Sequence, residues 1–167
     1  MFIQQTLVKL IIFLTFISCT QSNPFKDYQK SQLLTKSGDK LEVIIALSRD
    51  QQQKGLSNIK ADEFKDNQVM LFTGEKTRLR QFWMPETFFD LDIVFLTKDL
   101  YIIDIHRGVK HHAKKYPRSE VPISKSVFCT HVLEIKSSSP LAQKIQAGDY
   151  LKWNGSKSLS QILQDTH

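Results

Sequence analysis

Short apolar runs separated by turn-forming residues constrain the fold of this chain more than any other feature. The runs include "KLEVIIAL", "VMLFTG", "LRQFWM", "LDIVFL", "LYIIDI" and "SVFCTHVLEI", and most are rich in β-branched or aromatic residues. Runs of this length and composition are typical of β-strands. Residues 97–99 between two of them have the length of a hairpin loop. We therefore expect a single, mainly β domain, a sandwich or barrel with a few short helices.

Local capping signals predict where the helices lie. Ser48 is a candidate N-cap for "SRDQQQKGLS", and Gly55 follows where that helix is expected to end. Pro140 and Gly148 bracket a second expected helix, which a closing strand follows. Ser158 is a candidate cap for a short terminal helix over "SLSQILQ".

The amino terminus has the pattern of an export signal. The apolar run over residues 10–19 is shorter than the roughly 20 residues that a membrane span needs, and it suits a secretory signal. It ends in Ser18-Cys19, which resembles the lipobox of bacterial lipoproteins. That resemblance implies cleavage before Cys19 and lipidation of its thiol. An ordinary cleaved signal, which would give a secreted protein, or an uncleaved anchor is the alternative.

These features predict the layout of the chain. We expect a lipid anchor in the bacterial cell envelope, periplasmic or on the outer face. The predicted parts are a signal peptide over 1–18, a lipidated tether over 19–31, a β domain over 32–156, and a short C-terminal helix or tail over 157–167.

The cysteine and charge content limits the partners that we expect. Lipidation of Cys19 leaves Cys129 unpaired, so no disulfide is expected, and Cys129 should act as a small buried hydrophobic residue. The net charge of +6 favours anionic partners, but an exported lipoprotein seldom meets nucleic acid. We therefore expect no nucleic-acid partner. We also expect no cofactor and a monomer.

The segment over residues 106–119 is strongly basic and contains no acid. It is either a solvated loop or a contact for an anionic surface. Its three histidines are not expected to bind a metal, because neighbouring lysines repel cations. The basic residues of this predicted contact are Arg107, Lys110, Lys114, Lys115 and Arg118.

A Trp-Met-Pro-Glu-Thr turn lies between two apolar runs in "RQFWMPETFFDLDIVFL". If Phe82 and Met84 point inward by strand alternation, Trp83 lies on the opposite face, where an exposed aromatic indicates a binding surface. Pro85 donates no backbone hydrogen bond and so ends the strand.

Acidic residues follow this turn. Asp90 and Asp92 would project to the same side of a strand, as a carboxylate pair for sugar hydrolysis or cation binding requires. The alternatives are a solvated strand edge for Asp90, and hydrogen bonds that fix Asp92 structurally. We predict one surface depression for a ligand, formed by Trp83, Glu86, Thr87, Asp90, Asp92 and Tyr116.

Read in order, "QQKGLS", "VMLF", "FWMPETFFDLDIVFL", "IIDI", "YP", "VLEI" and "AGDYLKW" resemble the family called domain of unknown function 192. The resemblance covers residues 41–153. It implies a compact, mainly β domain that is often exported or lipid-anchored, and it implies no established reaction. Pro85 and Glu86 stand where the family has Lys and Asn.

Three hypotheses about function follow. The first is a membrane-tethered accessory domain that binds a carbohydrate-like or other polar ligand beside Trp83. The second is a hydrolase that uses paired carboxylates, although the sequence has no nucleophile elbow, phosphate loop or metal motif. The third is a protein-interaction module of the cell envelope.

Overall fold

Nine strands and two short α-helices make up the part of the chain that the structure, a computed structural model, describes, which is residues 23–165. The helices are α1 (Arg49–Lys54) and α2 (Leu159–Gln164). The strands are β1 (Gln29–Leu34), β2 (Lys40–Ala46), β3 (Gln68–Phe72), β4 (Arg78–Arg80), β5 (Leu91–Leu96), β6 (Ile102–Val109), β7 (Val127–Cys129), β8 (His131–Lys136) and β9 (Lys152–Trp153).

Seven of these strands form one curled, half-barrel sheet in the order β6-β5-β8-β3-β2-β1-β9. Its neighbours are antiparallel except β2 and β3, which run parallel and are joined through α1. The remaining strands, β4 and β7, pair as a separate two-stranded ribbon. The predicted single, mainly β domain with a few short helices is confirmed.

Both faces of the central strands are buried. Ile44, Met70 and Ile93 belong to one apolar cluster, and Val43 and Leu71 belong to another. Neighbouring residues of a strand point to opposite faces, so each cluster packs on its own side of the sheet. This arrangement explains why the central strands read as continuous apolar runs.

The predicted caps of the two α-helices are confirmed. The Ser48 side chain accepts a hydrogen bond from the Gln51 backbone amide, and Gly55 follows the last turn of α1. Ser158 caps α2 in the same way. The helix predicted between Pro140 and Gly148 is wrong, because only a 3-10 turn forms there.

That turn covers Ala142–Lys144. The carbonyl oxygens of Ala142 and Ile145 accept hydrogen bonds from the Arg107 guanidinium, which fixes this segment outside a regular helix.

The predicted tether is wrong for residues 25–31. Phe25 is buried in the core, and Gln29 begins β1, which pairs with β2. Cys19 and the predicted signal lie outside the described residues. No helix among residues 23–165 is both long and apolar enough to cross a membrane.

Two further predictions need correction. The run "SVFCTHVLEI" forms two strands, β7 and β8, that belong to different sheets, and the Thr130 amide between them donates to the Leu96 carbonyl oxygen. The predicted basic loop is shorter than 106–119, because β6 continues to Val109.

The predicted hairpin between β5 and β6 is confirmed. Cys129 is buried, as predicted.

Candidate functional site

The connector between β4 and β5 covers residues 81–90. On one side, it forms hydrogen bonds with residues 122–124. The Met84 amide donates to the Pro122 carbonyl oxygen at 3.0 Å, and the Ser124 amide donates to the Phe82 carbonyl oxygen at 2.6 Å. An isolated bridge also pairs Trp83 with Ile123. The backbone around Trp83 is therefore fixed although it lies outside a regular strand.

Two other segments hold the following residues. The Ser57 hydroxyl donates to the Pro85 carbonyl oxygen at 2.9 Å, and the Asn58 amide donates to the Glu86 carbonyl oxygen at 2.8 Å. The Glu86 amide donates to the Lys114 carbonyl oxygen at 3.3 Å. Glu86 has a φ of 54°, a left-handed conformation that is unfavourable for a residue with a Cβ. Such strain persists where the surroundings impose it, and it is frequent at functional sites.

Thr87 has a structural role beneath this turn. It is buried, its hydroxyl donates to the Met84 carbonyl oxygen at 2.9 Å, and it accepts from the His112 amide at 3.1 Å. The predicted role of Thr87 in lining a depression is therefore wrong. Its hydroxyl holds the connector instead.

The alternation predicted for the connector is confirmed. Met84 is buried, and the Phe82 ring packs edge-on against Phe72 at 4.9 Å between ring centres. Trp83 is 44% exposed, and the Arg118 guanidinium lies 5.4 Å from its ring centre. The indole therefore presents a face to solvent beside a cation.

Trp83 lies in a surface groove of about 770 Å³. Glu86 and Tyr116 line the same groove, so the structure brings together three of the six predicted site residues. The groove is also lined by residues of α1 and of the segment around β4. Together with Asn58, Lys115 and Arg118 from other segments, these give the groove the polar and basic residues Gln52, Gln53, Lys54, Asn58, Arg78, Arg80, Gln81, Lys115 and Arg118.

Asp90 is engaged elsewhere. It accepts from the Lys110 ammonium group at 2.7 Å and from the His111 amide at 3.0 Å, and His111 Nδ1 lies 2.7 Å from it. Partial burial alone raises the pKa of Asp90, but the hydrogen bonds from Lys110 and His111 outweigh it and hold that pKa well below its usual range. Asp90 does not line the groove.

Asp92 is buried, with 1% of its surface exposed. It accepts from Arg107 Nη1 at 2.7 Å, from the Gly108 amide at 2.8 Å and from the Ser137 hydroxyl at 2.6 Å. The expectation that hydrogen bonds fix Asp92 is confirmed, and its expected place beside Trp83 is wrong. The two carboxylates do not act as a pair, because Asp90 precedes β5 and the pairing of β5 with β6 is irregular just after Leu91.

The five basic residues of the predicted anionic contact do not form one cluster. Arg107 forms an ion pair with Asp92, and Lys110 forms an ion pair with Asp90. Both aspartates lie outside the basic segment 106–119. Lys115 and Arg118 line the groove, whereas Lys114 is exposed outside its lining.

The basic residues around β4 were missed by sequence reasoning. Among its lining residues the groove has five basic side chains and one acidic side chain, Glu86. One signal was present in the sequence. Arg80 has the same strand parity as the inward-facing Phe82 and Met84, which places a cation on the buried side.

Two of the buried ionisable groups outside the groove have strongly shifted pKa values. Burial raises the pKa of Glu134 to about 8. Burial, and then the charge of Arg80, lower the pKa of His131 to about 4. His131 Nδ1 accepts a hydrogen bond from the Gly74 amide at 3.1 Å, which requires a neutral ring.

The motifs around the groove match a family model over residues 32–153. That model is DUF192, described as an uncharacterized ACR. The chain belongs to this family. No curated protein matches the sequence of this DUF192 chain.

Two solved structures resemble this DUF192 chain. One is a Sinorhizobium meliloti protein named as a candidate transcription regulator, with 29% identity, 75% of this chain and 95% of that chain covered, and a TM-score of 0.58. The other is a protein of unknown function from Novosphingobium aromaticivorans, with 23% identity, 78% and 89% coverage and a TM-score of 0.62. The second likeness shows the fold alone.

Proposed function

We propose that this DUF192 protein is a membrane-tethered, extracytoplasmic binding domain that takes a carbohydrate-like ligand into the groove beside Trp83. The observation that carries the proposal is the half-exposed indole in a groove of about 770 Å³. A rigid connector holds it there. Ligand grooves typically combine apolar or aromatic faces with a few fixed polar groups.

The lining residues suit a polyhydroxylated ligand. Trp83 and Tyr116 offer flat amphipathic rings for the apolar faces of a sugar. Side-chain amides of Gln53, Asn58 and Gln81 supply both donors and acceptors for hydroxyl groups. The hydrogen bonds to the connector limit the conformational entropy that binding would cost.

Binding is favoured over hydrolysis. Glycoside hydrolysis usually needs two carboxyl groups that flank the bond, about 5–9.5 Å apart. Glu86 is the single acid among the residues that line the groove, while Asp90 and Asp92 are held in ion pairs away from it. The paired-carboxylate hydrolase therefore lacks its second group.

Removal of the indole tests the binding function. Calorimetric titration of purified chain with a panel of oligosaccharides should yield at least one binder, and Trp83→Ala should weaken it by at least about tenfold. Phe128→Ala is the matched control, because Phe128 is an aromatic residue that is 67% exposed and does not line the groove. Equal affinities for wild type and Trp83→Ala would contradict the proposal.

The tether is supported by the lipobox-like Ser18-Cys19 pair. Cys19→Ser should move the protein from the membrane to the soluble fraction and abolish labelling by a fatty-acid probe. A wild-type chain that takes up no label would end the lipid-anchor proposal, and membrane retention of the unlabelled variant would indicate an uncleaved anchor.

A further inference from the structure

Arg80 is a buried arginine that lacks an acidic partner among residues 23–165. Arg80 is only 7% exposed, and its Nη2 donates to the Thr73 carbonyl oxygen at 3.2 Å. Its Nε is buried without a hydrogen-bond partner in the described chain. Buried arginines are normally paired, because an unsatisfied buried charge is strongly unfavourable.

The surroundings of Arg80 add positive charge. Burial, and then the charge of Arg78, lower the pKa of Arg80. Two of the three β4 residues that line the groove, Arg78 and Arg80, are cationic, and the groove as a whole has five basic side chains against one acid. An anion placed here would be attracted by several groups at once.

Arg80 also lies where two concave surfaces meet. It lines the Trp83 groove and an adjoining cavity of about 580 Å³, and Gln52 and Arg78 line both as well. The adjoining cavity is also lined by one acid, Glu75, and by Lys76, so basic side chains outnumber acidic ones on both sides of Arg80. A Cβ at position 74 would collide with Arg80 Nη2, so Gly74 leaves the space that the guanidinium occupies. The guanidinium is therefore accommodated at this junction by the local sequence.

We infer that Arg80 is the anion-binding group of the groove and that the ligand carries a carboxylate or phosphate which this guanidinium binds. This inference rests on the proposed function and narrows the ligand to an acidic carbohydrate. Trp83 and Tyr116 bind the sugar rings, and the anionic group lies at the junction of the two cavities. An arginine suits this role, because its planar donors match two oxygens of a carboxylate or phosphate.

A pair of trisaccharides that differ in charge tests the inference. Calorimetry with galacturonate trimer and with neutral galactose trimer should show that the wild-type chain binds the acidic trimer at least about tenfold more tightly. Arg80→Gln should abolish this preference, because it should weaken binding of the acidic trimer far more than binding of the neutral trimer. Arg80→Lys keeps the charge but loses the planar donors, so it should retain part of the preference, and it replaces the glutamine variant if that variant fails to fold.

Arg78→Gln is the matched control, because it removes the same charge from an exposed residue two positions away. It should lower the affinity for the acidic trimer less than Arg80→Gln does, since solvent screens an exposed charge. The anion site would be overturned if Arg80→Gln kept the wild-type preference for the acidic trimer. If Trp83→Ala still lowered the affinity for both trimers, the proposed binding function would stand.

If neither trimer binds, the proposed ligand class fails, and a titration with inorganic phosphate tests whether Arg80 binds an anion. Titration of ¹⁵N-labelled chain with phosphate should then shift the Arg80 Nε–H resonance, assigned by its loss in Arg80→Lys, along a saturating curve. A resonance that does not respond would overturn the inference.

Discussion

Asp92→Ala is expected to lower the free energy of unfolding by about 3 kcal/mol. The substitution removes three hydrogen bonds to a buried carboxylate and leaves the Arg107 guanidinium, which holds the 3-10 turn at Ala142–Lys144, without its counter-ion. Loss of one partner of a buried ion pair costs about 3–5 kcal/mol, and the partial exposure of Arg107 places the effect at the lower end. Urea unfolding at neutral pH measures the change.

Asp90→Ala is the matched control, because it removes an equally charged side chain two residues away. Its ion pairs with Lys110 and His111 lie at the surface, so the loss should be no more than about 1 kcal/mol. Both variants should bind groove ligands as wild type does once folded. Similar destabilisation by the two substitutions would contradict the structural role given to Asp92.

The second large effect is the pH dependence that Glu134 confers on stability. Its pKa is about 8 in the folded chain and about 4.5 when the side chain is free. The folded state therefore holds a proton that the unfolded state releases between these values, so this group makes stability fall as pH rises from about 4.5 to 8. The slope is at most about 1.4 kcal/mol per pH unit.

His131 acts in the opposite direction over part of this range. Its pKa is about 4 when folded and 6.5 when free, so its contribution is complete above pH 6.5 and is lost as pH falls towards 4. The two slopes oppose one another between pH 4.5 and 6.5. We therefore expect the net decrease in stability to fall mainly between pH 6.5 and 8.

Glu134→Gln isolates the carboxyl group. Urea unfolding between pH 5 and 8.5 should show that the variant gains stability relative to wild type as pH rises, with the difference level above about pH 8. The variant's own curve should rise to about pH 6.5 and then flatten, since only His131 remains. Parallel curves for the two proteins would show that Glu134 is ionised in the folded chain at neutral pH.

Much of the fold follows from local patterns. The apolar runs predict the central strands, and the Ser48 and Ser158 caps locate both helices because capping depends on residues within one turn. The exposure of Trp83 follows in the same way from the inward parity of Met84. These features need no knowledge of distant residues.

The parts that sequence reasoning missed depend on distant contacts. Asp92 is paired with an arginine fifteen residues away and with Ser137 in the turn after β8, so its apparent partnership with Asp90 misleads. Phe25 lies in a polar stretch, and its burial depends on the core that Phe64 helps to form. Arg80 becomes notable only when the structure shows that it is buried without an acid beside it.

The indole resonance of Trp83 gives the most direct test of the groove as a binding site. The chain has two tryptophans, and the Trp153 indole donates to the Lys157 carbonyl oxygen at 2.8 Å outside the groove, so it serves as an internal reference. In ¹⁵N-labelled chain titrated with galacturonate trimer, the Trp83 indole N–H should shift along a saturating curve while that of Trp153 remains still. Saturable binding that leaves the Trp83 signal unchanged would contradict the account.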